Sequence, residues 1–129
     1  MEMVTPEGWP AARGYSYAVV HQGRVNVAGM IAMDMETQEI VQGGFAAQWA
    51  KVWQNVAEIL RAAGTTPDKV VAIRVFVTSL EAYRDARREL GAGWAPVFGD
   101  HLPAITLVEV SGLVLADALL EAEVEAALA

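Results

Sequence analysis

The sequence predicts one α+β domain over residues 1–129, a mostly antiparallel sheet with two helices on one face. Three observations predict it. Short β-rich runs alternate with two longer helical stretches in the order β-β-(β)-α-β-α-β-β. At 129 residues the chain is long enough for one real core. It is also 54% hydrophobic with mean hydropathy +0.30, yet Glu, Asp, Arg, Lys or Gly interrupts every long apolar stretch. None approaches the ~18–20 residues of a membrane span. The surplus apolar surface must therefore enter a core or a subunit interface, and a symmetric oligomer is its natural outlet.

Residues 1 to 14 hold Pro6, Gly8 and Pro10 without periodicity and read as a lead-in rather than an element. Tyr15 to Val20 is β-rich, Gln22-Gly23 supplies a turn, and Arg24 to Ala28 alternates with Val25 and Val27 on one side. That is a hairpin signature. Gly29 to Asp34 is a short apolar piece, and Met35 to Glu39 is a solvated turn. From Phe45 to Ala63, Phe45, Trp49, Val52, Trp53, Val56, Ile59, Leu60 and Ala63 recur at three- and four-residue steps, with Lys51, Gln54, Glu58 and Arg61 opposite. The spacing predicts an amphipathic helix stopped at Gly64. Its tryptophans, Trp49 and Trp53, fall on the apolar stripe and so read as core.

After a loop at Thr65 to Lys69, Val70 to Val77 predicts a strand. Strict alternation puts Val71, Ile73, Val75 and Val77 on one face and Val70, Ala72, Arg74 and Phe76 on the other. Ser79 caps a second helix starting near Leu80, which Gly91, Gly93 and Pro96 weaken or kink. Ile105 to Val110 is another strand. Leu119 to Ala127 has helix-forming composition, but Glu121, Glu123 and Glu125 alternate with apolar residues, which favours a strand.

The formal net charge of −7 makes nucleic acid a poor partner. Zero cysteines remove thiol catalysis, disulfides and cysteine metal sites, and only His21 and His101 are available for a histidine centre. No metal or other cofactor is expected. The polar start MEMVTPEGW lacks the apolar core of a signal peptide, so the expectation is a cytoplasmic protein without a membrane partner.

The series YSYAVV, GRVNVAGMIAMD, ETQEIV, a Gly-opened helix ending LRAAG, VVAIRVFVTSLEAY, FGDHLPAITLVEV and ALLEAEVEA resembles, in order, the Rid family (reactive intermediate deaminases, also YjgF or L-PSP) over roughly Gly14 to Leu128. The resemblance implies a chorismate-mutase-like fold, assembled as a homotrimer around a central barrel with small-molecule clefts at the subunit boundaries. It implies hydrolysis of enamines and imines such as 2-aminoacrylate. In that chemistry an arginine grips the substrate carboxylate and a glutamate serves the attacking water.

Carried over residue by residue, the tyrosine matches Tyr15 and the glutamate Glu121, with Glu123 as alternative on the same strand face. Four positions depart. The arginine after the Pro-Ala pair is Ile105, the serine before the second-strand glycine is Ala28, the glutamine after it is Met30, and the second-helix asparagine is Gly91. Each change removes polarity, and Ile105 cannot pair with a carboxylate, whose burial would then be uncompensated.

Each residue also has a plainer reading. A strand glutamate is more often solvated or interfacial than catalytic. Tyr15 can simply pack. His101 reads more readily as a cap or surface group than as an acid or base. Arg13 and Arg74 could replace the lost arginine, although for Arg74 an inter-subunit ion pair is favoured. Arg84, Arg87 and Arg88 beside Asp85 and Glu89 read as a wet helix face. Two functions compete: a hydrolase of an imine or enamine without the usual carboxylate, and a trimer that binds a small apolar metabolite without chemistry. An endoribonuclease is the least favoured class, because the acidic chain has no basic groove.

Overall fold

A computed structural model describes all 129 residues. In chain order the elements are β1 (Glu2–Val4), β2 (Ala18–His21), β3 (Arg24–Met30), β4 (Met33–Asp34), β5 (Glu39–Ile40), α1 (Gly44–Ala63), a 3-10 turn (Pro67–Lys69), β6 (Val70–Val77), α2 (Leu80–Phe98), β7 (Ala104–Glu109) and β8 (Leu120–Ala127). Six strands form one sheet in the order β1-β2-β3-β8-β6-β7, and β4 pairs with β5 separately. Every neighbour pair in the sheet is antiparallel except β6–β7, which α2 connects as a parallel crossover. The expected α+β architecture is thus the observed one. No helix is long and apolar enough to cross a membrane.

The core follows from the period-2 pattern of the strands meeting the period-3.6 stripe of α1. Val25 and Val27 of β3, Ile73, Val75 and Val77 of β6, and Leu120, Ala122, Val124 and Ala126 of β8 are all buried on one sheet face. Val52, Trp53, Val56, Ile59 and Leu60 of α1 fill the other side. Each large side chain so buried contributes roughly 1.5–3 kcal/mol. Trp53 and Trp49 are core residues, in edge-to-face contact at 5.1 Å. The helices approach closely at Gly93, where an added Cβ would lie 2.8 Å from the Ala50 Cβ and 2.9 Å from its Cα.

Several sequence expectations are corrected. The lead-in contains an element: Glu2–Val4 pairs with β2, Val4 opposite Ala18, and Val4 is buried. Three residues are too few for a period, and the strand exists because β2 offers a free edge. The first predicted strand begins at Ala18 rather than Tyr15, and the second runs on to Met30. Strict alternation fails at the start of β6, where a bulge between Val70 and Ala72 turns Val70 inward and leaves Val71 57% exposed. α2 continues unbroken to Phe98 despite Pro96. Trp94 and Phe98 stack at 3.9 Å in its last turn and hold it on α1, whose Trp53 meets both rings. Ser79 caps α2 as expected, its hydroxyl accepting from the Ala82 N–H at 3.0 Å.

Candidate functional site

The face of the sheet opposite the helices carries the polar residues. Along β8 it presents Glu121, Glu123 and Glu125, registered with Phe76, Arg74 and Ala72 of β6. Arg74 donates from Nε to Glu123 Oε1 at 2.6 Å and from Nη2 to Glu125 Oε2 at 3.1 Å. The ion pair expected between subunits is therefore formed between neighbouring strands of one chain. It occupies the arginine that was a candidate carboxylate anchor, and it leaves Glu121 as the glutamate of the three without a hydrogen-bonding partner.

Glu121 owes its position to a defect in β3. The ladder to β8 slips between Val27 and Met30, so that Ala28 and Gly29 form a bulge. The space where a Gly29 Cβ would stand is filled by the Glu121 side chain, with Oε1 2.1 Å from that point. Only glycine leaves room for the carboxylate there. Burial, and next the charge of Glu123, raise the Glu121 pKa above its ordinary value.

The carboxylate borders a cavity of about 450 Å³, within the ~300–1,000 Å³ range typical of small-molecule sites. One wall is the segment from Ala28 to Met35, which contributes Ala28, Met30, Ile31, Met33 and Met35; Tyr15 and Tyr17 form a second, and Val114 and Leu115 a third. Tyr17 is fixed by donating its hydroxyl to the Pro10 carbonyl at 2.7 Å and by edge-on contact with the Trp9 ring at 5.0 Å. Its own pKa is raised, first by burial and then by Tyr15.

Two buried amides of α1 tie down the first wall and the chain that follows the third. Asn55 donates to the carbonyls of Ile31 at 3.2 Å and Met33 at 2.9 Å. Gln48, two turns earlier on the same face, donates to the Asp117 carbonyl at 3.0 Å and accepts from the Leu119 N–H at 2.8 Å. Unpaired, those backbone groups would be costly to bury.

Of the residues singled out in the sequence, Tyr15, Ala28, Met30 and Glu121 line this cavity together. Ile105 and Gly91 are not brought to it within one chain. Ile105 is registered with Ile73, on the helix-bearing face, and is 47% exposed on edge strand β7. Gly91 lies exposed on α2. His101 places Nε2 2.7 Å from the Val70 carbonyl, outside the cavity, and Arg13 is an exposed residue outside it as well. Sequence reasoning missed Tyr17, Gly29, Met33, Met35, Gln48 and Asn55. For the last two a signal existed: amides seven residues apart on an otherwise apolar helical stripe.

The chain is thus a two-helix α+β unit with a half-buried carboxylate at the edge of an apolar cavity. The matching family model, described as Endoribonuclease L-PSP, covers residues 7–128. A RutC family protein of Sulfurisphaera tokodaii is 36% identical over 94% of both chains. The rat 2-iminobutanoate/2-iminopropanoate deaminase is 31% identical over 81% of this chain and 74% of its own. The solved structure of the E. coli YjgF gene product matches with TM-score 0.84 at 28% identity, covering 98% of both chains. The chain belongs to the Rid/YjgF family, the group named Endoribonuclease L-PSP in that model.

Proposed function

We propose that this protein is an imine or enamine hydrolase acting on a small metabolite other than 2-aminoacrylate, at clefts between the subunits of a homotrimer. The carrying observation is Glu121: a carboxylate without a partner in the chain, poised beside an apolar cavity while its strand neighbours are held by Arg74. The rat relative, named as an imine deaminase, supports the reaction class. Glu121 takes a proton from water as the oxygen attacks the imine carbon, giving a carbinolamine. It returns that proton to nitrogen, and the carbon–nitrogen bond breaks with its electron pair leaving on nitrogen. The second water proton passes from the hydroxyl to the amine, so the products are a carbonyl compound and an amine or ammonia.

The exclusion of 2-aminoacrylate rests on Ile105, which stands where the resemblance expects an arginine. One charge-assisted contact of that kind contributes roughly 1.5–3 kcal/mol, and its loss slows the reaction by about one to two orders of magnitude. The bare sheet face and the exposed apolar residues Ile105 and Val108 on edge strand β7 support a subunit interface. Light scattering on the purified protein checks the trimer. The net charge of −7 and a cavity whose one charged side chain is a carboxylate argue against a phosphate-backbone substrate, despite the name of the family model.

The second reading is a binding protein without chemistry. It is favoured by a lining in which nine of eleven residues are hydrophobic. Glu121→Ala separates the two, with imine hydrolysis and ligand affinity measured side by side. A hydrolase loses turnover; a binder never had it and changes affinity alone. For the substrate, a pyridoxal-phosphate dehydratase supplies 2-aminoacrylate, and 2-oxo acid release is followed with this protein and with an arginine-bearing relative. Equal rates would refute the role given to Ile105.

A further inference from the structure

We infer that the cavity beside Glu121 selects a cation, so that the imine it takes is a protonated one, an iminium bearing a compact apolar or aryl group, and not an imino acid. The substrate part rests on the hydrolytic reading above; the charge preference does not.

Four observations carry it. First, Glu121 brings a carboxylate to the cavity, and neither lysine nor arginine lines it. Arg74 is committed to Glu123 and Glu125 at 2.6 and 3.1 Å, and Arg13 is exposed outside the lining. An anion entering here meets the unpaired Glu121 carboxylate and finds no counter-charge in the lining that this chain supplies. Second, the Glu121 carboxylate receives no hydrogen bond from the chain, so an N–H donor arriving with the ligand fills a vacant acceptor. Third, the exposed ring of Tyr15, held edge-to-face by the buried Tyr17 at 5.7 Å, puts an aromatic side chain in the wall, and the face of such a ring attracts cations. Fourth, Met33 and Met35 supply a deformable apolar wall for the uncharged substituent.

The reaction balances without a co-reactant. The iminium R₂C=NHR′⁺ and water give R₂C=O and R′NH₃⁺; the positive charge stays on nitrogen, and both water protons end there. Substrate and amine product therefore share the ion pair with Glu121, and an apolar ammonium serves as a probe of the site.

The test titrates the full-length protein with benzylammonium, benzyl alcohol and benzoate at about neutral pH, ligands of similar shape and different charge. Benzylammonium is expected to bind at least ~10-fold more tightly than the other two, a difference of about 1.4 kcal/mol. In Glu121→Gln that advantage disappears, while thermal melting confirms that the variant is folded. Benzoate binding as tightly as benzylammonium, no binding of benzylammonium, or an advantage that survives in Glu121→Gln would each overturn the inference. A second arm follows hydrolysis of the imine of isobutyraldehyde and benzylamine. Cation binding without accelerated hydrolysis would refute the hydrolase and leave the charge preference standing. Accelerated hydrolysis with benzoate as the tighter ligand would do the reverse.

Discussion

Replacing Gly29 by alanine should disable the site while leaving the fold nearly intact. The added Cβ would stand 2.1 Å from Glu121 Oε1, 2.7 Å from Cδ and 3.0 Å from Cγ. The three nearest atoms all belong to the flexible Glu121 side chain, so the carboxylate is what must give way. Restoring ordinary contact requires it to retreat by more than about 1 Å, and a misplacement of that size can cost ~10²-fold in rate. The energetic penalty is that of a displaced side chain, about 0.5–1.5 kcal/mol for an off-rotamer torsion. At roughly 4 °C per kcal/mol for a chain of this size, the melting temperature should fall by about 2–6 °C. The assay is kcat/KM for imine hydrolysis, run beside a thermal melt. Wild-type turnover in a folded Gly29→Ala protein would refute the claim that the carboxylate works from its place above the bulge.

Further outcomes follow from the same geometry. Glu121 has a raised pKa in the folded chain, so its ionisation opposes folding: the stability it allows is full below the ordinary value of 4.5 and is lost as pH rises through the folded value. Glu121→Gln should therefore melt above wild type at neutral pH, with the difference vanishing in acid. Asn55→Ala removes donors from the Ile31 and Met33 carbonyls and should cost ~1–3 kcal/mol in denaturant unfolding, with weakened ligand binding as the Met33 wall loosens. Gly93→Val drives a side chain into the Ala50 backbone and should cost about 1–3 kcal/mol, partly recovered by Ala50→Gly.

Local chemistry made most of the fold legible. The stripe from Phe45 to Ala63 can bury only one helix face, Ser79 caps α2, and β-branched Val70 to Val77 gives β6 to the residue. At β8 the alternation of Glu121, Glu123 and Glu125 with apolar residues outweighed the helix propensity of Ala, Leu and Glu, because a sheet buries one face and wets the other. What the sequence hid depends on distant partners. The bulge at Ala28–Gly29 exists only against β8, more than ninety residues away, and a one-residue slip leaves no mark in the local pattern. The need for glycine at position 29 is likewise invisible until Glu121 is folded over it. Tyr15, Ala28, Met30 and Glu121 were found through resemblance, while Gln48 and Asn55 were passed over although their burial on α1 fixes the cavity walls.

The pH dependence of kcat/KM for imine hydrolysis, measured for wild type and Glu121→Gln, tests the central claim most directly. If Glu121 serves the attacking water, the wild-type rate rises as that carboxyl ionises, along a limb centred above its ordinary 4.5. The glutamine variant then falls by ~10²–10⁴-fold and loses that limb. A Glu121→Gln protein that keeps the wild-type rate and profile would contradict the account.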